Sequence, residues 1–232
     1  MRLYSMQRNS AGWRVRIALH LKGIPFDYLP VTSLKPGEFR RINPQGLMPA
    51  LEVEGVVIAQ SGAILEYLEE LKPEPSLLPA DPLLRAQVRA FSQLIACDLH
   101  PLNNHRVRRY LSGSMGHSRR EVQTWYEHWV MVGLGSLEES LAARPDPGPF
   151  CFGDKPSLAD LHLAPQLYTC RRFGCQLRPY SRLLSVEAAC REHPAFLAAA
   201  PERLPDFDGK DPPWLEPPQA SPRRSARKRS GT

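Results

Sequence analysis

The sequence predicts an α/β domain followed by an all-helical domain, and three observations support this fold class. Up to about residue 74, short β-rich runs alternate with helix-forming segments and clusters of turn residues. Four prolines then interrupt any helix between residues 73 and 82. Beyond residue 82, apolar residues recur at helical spacing without an alternating strand pattern. The 232 residues suffice for two modest domains.

The composition is that of an ordinary globular protein, with 42% hydrophobic and 23% charged residues. No apolar run approaches the roughly 20 residues of a membrane-spanning helix, and the N-terminus lacks the apolar stretch of a signal peptide. We therefore expect a soluble, cytoplasmic protein with no membrane partner.

The net charge of +6 comes mainly from the C-terminus, where residues 221–232 carry five basic side chains and no acid. These are Arg223, Arg224, Arg227, Lys228 and Arg229. The rest of the chain is nearly neutral. A short basic end of this kind is more often solvated than bound, so we expect no nucleic-acid partner.

The five cysteines contain no C-x-x-C pair. Metal clusters and disulfide frameworks need paired short spacings, so we expect no metal site and reduced, mostly structural thiols.

The N-terminal strand and helix form the most informative stretch. Residues 2–6 predict a strand, and residues 8–23 predict a helix that either Asn9 or Ser10 caps. A helix that begins directly after a strand points unpaired N–H groups and about half a positive charge at its ligand. The sequence therefore predicts a site for an anion or a thiolate.

The rest of the first domain is predicted as a strand, a loop, a turn, a hairpin and a helix. Apolar runs flank Glu54-Gly55, and a two-residue loop that ends in glycine indicates a hairpin. Ser61 is predicted to cap the last helix. The predicted segments are strand 26–31, loop 35–37, turn 43–46, strands 47–53 and 56–59, and a helix from residue 61.

Helices are predicted in the second domain over residues 83–100, 103–111, 121–143, 158–173, 185–192 and 194–199. Ser157 and Asp160 have the spacing of a capping box, so Asp160 is expected to serve folding rather than chemistry. The predicted limits are a first domain 1–76, a linker 77–82, a helical domain 83–205 and a basic, proline-rich tail 206–232. The tail has too little apolar material to offset its ordering entropy, so we expect disorder, with Trp214 as its one residue suited to packing back.

Two further features of the first domain suit a peptide ligand. Met48-Pro49 lies at a strand start, where a cis bond would present the Met48 backbone to an extended peptide, although a trans bond is far commoner. Gln60-Ser61, at a helix N-terminus, offers a hydroxyl and free N–H groups to a carboxylate; alternatively, Ser61 is only a cap.

Taken together, several motifs resemble the zeta class of glutathione transferases, which contains maleylacetoacetate and maleylpyruvate isomerases. In the first domain these are N-S-A-G-W-R-V-R-I-A-L, N-P-Q-G-L-M-P-A-L, Q-S-G-A-I-L-E-Y-L-E-E and the linker L-L-P-A-D-P. In the second they are C-D-L-H-P-L-N-N-H-R and F-G-D-K-P-S-L-A-D-L-H-L-A-P-Q. The resemblance covers residues 1 to about 201.

The resemblance implies a thioredoxin-like glutathione-binding domain, an all-helical second domain and a homodimer. It also implies a reaction in which the glutathione thiolate adds to a cis double bond of a maleyl-type dicarboxylic acid, the bond rotates, and elimination releases the trans isomer.

By position, the resemblance implies catalytic roles for Arg8, Asn9 and Ser10. The residues implied to bind glutathione are Asn9, Ser10, Ala11, Gly12, Met48, Pro49, Gln60, Ser61, His100, Asn104 and His105. Three arginines are candidates for the substrate carboxylates, because a guanidinium pairs with a carboxylate through two hydrogen bonds: Arg8, Arg106 and Arg172. An exposed Arg106 is also compatible with simple surface charge, and at most one of the adjacent Arg171 and Arg172 is expected to face a cleft.

The motif at the first helix departs from the family pattern. The family's S-S-C falls on Asn9, Ser10 and Ala11, so only Ser10 keeps a hydroxyl. The Asn9 carboxamide and the backbone N–H groups of Ala11 and Gly12 are the remaining donors expected for a thiolate. This departure leaves two alternatives: a transferase that conjugates another electrophile, and a non-catalytic binding protein with the same fold.

Overall fold

The computed structural model describes residues 1–145 and 148–215. Its first part is a mixed four-stranded sheet with helices, in the strand order β2-β1-β3-β4. Strand β1 pairs in parallel with β2 and antiparallel with β3, and β3 pairs antiparallel with β4. The elements are β1 (Arg2–Ser5), α1 (Ser10–Leu21), β2 (Asp27–Pro30), α2 (Glu38–Ile42), β3 (Ala50–Val53), β4 (Val56–Ala59) and α3 (Ser61–Leu71).

The predicted loop near residues 35–37 leads into a helix that the sequence did not suggest. Helix α2 has only five residues and follows Gly37, which has a φ of 82°. Its Phe39 is buried against Tyr4 and Ala50. A single turn with one buried residue carries too little periodicity to be recognised from sequence.

The second part is helical, as predicted. Its elements are α4 (Pro82–Gln93), α5 (His105–Gly113), α6 (Arg119–Ala142), α7 (Leu158–Arg172), α8 (Ser181–Glu192) and α9 (Pro194–Ala198). The run predicted as one helix from residue 83 to 100 is interrupted, because Leu94–Leu99 forms π-helical turns. Within the described ranges, no helix is long and apolar enough to cross a membrane.

Helix α1 is the element that the two parts share. It packs on α3 of its own domain and on α7 and α9 of the helical domain. Every residue from Ser10 to Leu19 is buried. Because α1 is enclosed on both sides, its N-terminus has a fixed position relative to both domains.

Helix α7 begins at the predicted capping box. The Asp160 carboxylate is fully buried and accepts hydrogen bonds from the Ser157 N–H, the Ser157 hydroxyl and the Cys151 N–H, at 2.8–2.9 Å. Asp160 therefore ties the preceding loop to α7, and it is not among the residues that line the cavity described below.

The expectation of disorder from residue 206 is wrong for residues 206–215. Trp214 is completely buried, with its ring edge-to-face on Trp13 at 5.0 Å between centroids. Asp206 accepts hydrogen bonds from the Gln7 N–H at 2.9 Å and the Tyr28 hydroxyl at 3.0 Å. One large aromatic side chain and a few partly buried carboxylate contacts hold this polar segment, which composition alone did not reveal. Residues 216–232 of the predicted tail lie outside the described residues.

Candidate active site

A cavity of about 950 Å³ lies between the two domains. The N-termini of α1 and α3 and the segment before β3 form one wall, and α4, α5 and α7 contribute the other. Almost all of the residues singled out from sequence line it: Arg8, Asn9, Ser10, Ala11, Met48, Pro49, Gln60, Ser61, His100, Asn104, His105, Arg106 and Arg172.

Gly12 is the exception, and the expectation that its N–H faces a ligand is wrong. That N–H donates to the Asn9 side-chain oxygen at 2.5 Å, in the N-cap interaction of α1. The prediction of Asn9 as a possible cap is confirmed. The Asn9 amide nitrogen is 3.5 Å from the Met48 carbonyl oxygen, so Asn9 is engaged at both ends of its carboxamide. The first-turn N–H groups of Ser10 and Ala11 have no intrahelical acceptor at such a position.

Ser10 is the first of three side chains that contact one another in series across the domain boundary, followed by His100 and Asn104. Its hydroxyl oxygen lies 3.2 Å from Nδ1 of His100, and Nε2 of His100 lies 3.3 Å from Nδ2 of Asn104. The Asn104 side-chain oxygen already accepts the Arg106 N–H at 3.1 Å, as the cap of α5. Asn104 therefore turns its N–H₂ group toward His100.

This arrangement determines the tautomer of His100. Since Asn104 donates to Nε2, the proton of the neutral ring resides on Nδ1, which donates to the Ser10 oxygen. Burial, followed by the charges of Arg14 and Arg106, lowers the pKa of His100 to about 3, so the ring is neutral near pH 7. The Ser10 hydroxyl proton is then available for an acceptor in the cavity.

The other end of the cavity holds the second helix N-terminus. Ser61 is the first residue of α3 rather than its cap, because the N-cap position belongs to Gln60. Gln60 has a backbone φ of 72°, which residues other than glycine rarely adopt. Such backbone conformations concentrate at functional sites. The Met48–Pro49 peptide bond beside it is cis.

The cavity is strongly basic. Among the described residues that line it, six are arginines and one, Glu66, is acidic; the arginines are Arg8, Arg14, Arg89, Arg106, Arg108 and Arg172. Glu66 is paired with Arg89 at 3.0 Å, so the remaining charge is uncompensated within the lining. A concave, basic surface of this kind concentrates anions.

Sequence reasoning missed three of these arginines, Arg14, Arg89 and Arg108. Arg14 is 2% exposed and uses one nitrogen, Nη1, to contact the Ser61 hydroxyl at 3.3 Å. Burial lowers its pKa to about 10, which leaves it charged near neutrality. Arg108 stacks over the Phe173 ring at 4.1 Å. A charge inside the apolar run W-R-V-R-I-A-L was the available signal for Arg14, because arginine is seldom buried without a role.

Of the two adjacent arginines at the end of α7, Arg172 lines the cavity, whereas Arg171 forms an ion pair with the buried Glu187. The expectation that only one of them faces the cleft is confirmed. Arg172 and Arg8 also contact the C-terminal segment, through Asp211.

Comparison with known proteins places this site in a family. Residues 10–71 match the family model described as "Glutathione S-transferase, N-terminal domain". The chain is 45% identical to a maleylacetoacetate isomerase of Pseudomonas aeruginosa over 213 residues, which cover 89% of this chain and 98% of that relative.

Solved structures agree with the sequence comparison. A bacterial maleylpyruvate isomerase, described as a zeta-class glutathione S-transferase, has a TM-score of 0.86 and 43% identity over 90% of this chain and all of that one. The maleylacetoacetate isomerase of Anaeromyxobacter dehalogenans, solved with dicarboxyethyl glutathione and citrate in its active site, has a TM-score of 0.79 and 39% identity over 90% of this chain and 94% of that one. The chain therefore belongs to the glutathione transferase family and, within it, to the zeta class that contains the maleylpyruvate and maleylacetoacetate isomerases.

Proposed function

We propose that this protein is a glutathione-dependent cis–trans isomerase of a maleyl-type dicarboxylic acid, such as maleylpyruvate or maleylacetoacetate. One observation carries the proposal. Ser10, at the N-terminus of α1, opens on the same cavity as the arginines Arg8, Arg106 and Arg172. A thiolate site and a set of carboxylate-binding groups are thereby combined.

The residues of the cavity fit glutathione, a tripeptide with a carboxylate at each end and a thiol between them. The Ser61 hydroxyl and the α3 N-terminus suit the γ-glutamyl carboxylate, and Arg14 supports that end from behind, through its contact with Ser61. Met48, just before β3, suits the peptide backbone. Asn104 and His105 line the opposite wall.

When bound, glutathione supplies a thiolate that adds to one carbon of the cis double bond and is expelled after the resulting single bond has rotated. The protein must keep that sulfur ionised near neutral pH. The positive end of the α1 dipole and the Ser10 hydroxyl both favour the anion, and such positions bring thiol pKa values from about 8.5 toward or below neutrality.

The arginines perform the second task, which is to hold a dianion while its central bond turns. Arg8 and Arg172 come from different domains, and Arg106 lies on α5, so carboxylates at the two ends of a substrate have separate partners. Because the arginines hold only the two ends of the substrate, its central carbon–carbon bond stays free to rotate. The same positive charges stabilise the oxygen that receives the electron pair of the double bond.

The test is to incubate purified protein with maleylpyruvate or maleylacetoacetate, with and without glutathione, and to follow the olefinic protons by NMR. We expect glutathione-dependent conversion of the cis isomer to the trans isomer. A stable thioether product would instead establish conjugation, the alternative that the Asn9-Ser10-Ala11 departure favours. Loss of neither substrate nor thiol would indicate a binding protein.

The proposal includes a cytoplasmic setting and a homodimer. The cytosol keeps thiols reduced, as this reaction requires. The exposed apolar side chains Leu83 on α4 and Met131 and Val132 on α6 suit an interface between copies. Light scattering coupled to size-exclusion chromatography tests this assembly: a mass near 52 kDa is expected from the 26.2 kDa chain, twice its value, and a monomer would contradict it.

A further inference from the structure

The C-terminal segment 206–215 is held at both of its ends. At the first end, Asp206 accepts the Gln7 N–H and the Tyr28 hydroxyl. At the other, Trp214 is buried, with the Arg191 guanidinium over its ring at 4.0 Å. The residues between these anchors therefore have a defined path along the domain boundary.

Asp211 lies on this path and bridges two arginines. Its Oδ2 atom accepts the Arg8 Nε–H at 2.5 Å, and its Oδ1 atom lies 3.0 Å from Nε of Arg172, in an ion pair without hydrogen-bond alignment. Arg8 precedes α1 in the first domain, and Arg172 ends α7 in the second. A single carboxylate thus links the two domains beside the cavity.

The bridge contacts the arginines from outside the cavity. Arg8 and Arg172 line the cavity, whereas neither Asp211 nor Asp208 is among its lining residues. The Asp211 contacts use the Nε edge of each guanidinium. Within residues 1–145 and 148–215, no hydrogen bond is found at Nη1 of Arg8 or at either terminal nitrogen of Arg172. Those terminal nitrogens remain available to a ligand carboxylate.

The electrostatics favour a charged Asp211. Burial raises its pKa, but the contacts with Arg8 and Arg172 and the charges of these two arginines together bring the pKa below the ordinary value. Two guanidinium groups on one carboxylate would otherwise repel each other, and the shared anion offsets that repulsion. Asp208, by contrast, contacts Arg8 at 3.0 Å but not Arg172, in a solvent-exposed position.

We propose that Asp211 is a positioning residue, which fixes the separation of Arg8 and Arg172 across the domain boundary so that their terminal nitrogens match the two carboxylates of a dicarboxylic acid. This inference rests on the proposed function in taking a dicarboxylate as the ligand. It adds a residue of the C-terminal segment to the determinants of substrate specificity.

The test uses Asp211→Asn, which keeps the size of the side chain and removes its charge. Malonate, a dicarboxylate that cannot isomerise, is titrated calorimetrically into the glutathione-loaded protein. We expect Asp211→Asn to raise the malonate Kd and the substrate KM about ten-fold, with kcat and the glutathione KM within about two-fold of wild type, because misplaced binding groups weaken recognition of the ligand that they hold. Asp211→Glu, which restores the charge, should recover most of the affinity.

Asp208→Asn is the matched control. It removes a carboxylate of the same segment that contacts Arg8, but it leaves the link between Arg8 and Arg172 intact. It should change the malonate Kd by less than about two-fold. Thermal unfolding verifies that each variant is folded, and Asp211→Ser replaces Asp211→Asn if the latter is not.

Three results would overturn the inference: tighter or unchanged malonate binding by Asp211→Asn, an equal loss in Asp208→Asn, or no malonate binding by wild type. Tighter binding would mean that Asp211 competes with the ligand for the arginines. A wild-type protein that binds malonate but does not isomerise its substrate would contradict the proposed function and leave the positioning role standing.

Discussion

At the scale of single residues, Ser10 is the side chain on which the proposed chemistry depends most. The family motif would place hydroxyl and thiol groups on both sides of it, but here Asn9 and Ala11 occupy those positions. The structure gives Asn9 a capping role through Gly12. Ser10 is oriented by the chain from Asn104 through His100, so one hydroxyl is directed where the family has several polar groups.

The first prediction concerns this hydroxyl. Ser10→Ala should lower kcat/KM about 100-fold, the magnitude typical of removing one preorganised donor to a developing or resting anion. Spectroscopic titration of bound glutathione should give a raised thiol pKa in the same variant. Ser33→Ala, which removes an exposed hydroxyl bonded to the Pro30 carbonyl, is the control and should leave both quantities unchanged. Full activity in Ser10→Ala would contradict the assigned role.

The second prediction concerns pH and His100. The pKa of His100 is about 3 in the folded protein and roughly 6.5 in an unfolded chain. Between these two pH values, the unfolded state binds a proton at His100 that the folded state does not bind. Stability is therefore lost as pH falls below about 6.5. His100→Gln should reduce the loss of unfolding free energy between pH 7.5 and pH 5.5 by about 1 kcal/mol, measured by urea denaturation.

Wild type provides the comparison. If His100→Gln loses as much unfolding free energy as wild type between the two pH values, the neutral state of the folded His100 ring is wrong.

Sequence reasoning identified thirteen of the residues that line the cavity, because family motifs mark positions independently of the local structure. It did not find Arg14, whose significance depends on being buried beside Ser61. It also predicted Ser61 as the cap of α3, whereas Gln60, with its positive φ, is the cap and Ser61 is the first helical residue.

At the scale of elements, the N-terminus of α1 is packed so closely that it admits no side chain at residue 12. A Cβ atom added to Gly12 would lie 1.9 Å from the Ser5 hydroxyl oxygen and 2.6 Å from the Asn9 side-chain oxygen. The cap of the helix and the approach of β1 thus require glycine for space rather than for backbone freedom.

The third prediction follows. Gly12→Ala should destabilise the protein by about 3 kcal/mol, through the overpacking and the damaged cap together, as measured by denaturant unfolding. Gly135→Ala is the matched control: it lies within α6 with no neighbouring atom within 4 Å of the new Cβ, and should stabilise the helix by about 0.5–1 kcal/mol. Equal effects of the two substitutions would refute the packing argument.

The elements themselves were largely predictable, since apolar periodicity and caps are local. The π-helical turns that follow α4 and the short helix α2 were not predictable, because neither leaves a periodic pattern.

At the scale of the whole molecule, α1 and the C-terminal segment join the two domains. The division into an α/β part and a helical part can be predicted from the sequence, but the docking of residues 206–215 cannot. A segment so polar was expected to remain disordered. Trp214 offsets that composition by filling a site against Trp13 and Tyr168, together with the hydrogen bonds of Asp206.

The fourth prediction tests this docking. Trp214→Ala should destabilise the protein by about 3–5 kcal/mol, because it removes a fully buried aromatic side chain. Trp129→Ala is the comparison, because Trp129 is only half-buried, and it should reduce the free energy of unfolding by clearly less. Thermal or urea unfolding of both variants decides, and a small effect at position 214 would show that the segment is not held as described.

Isomerisation should regenerate glutathione in every catalytic cycle, and the ratio of substrate converted to glutathione consumed tests this. Purified protein is supplied with the cis dicarboxylic acid and with glutathione at about one hundredth of its concentration, and both are quantified by NMR until the reaction ends. We expect complete conversion to the trans isomer, with all of the glutathione recovered as free thiol. Conversion that stops when one equivalent of glutathione has been consumed, or that does not exceed the rate without protein, would contradict it.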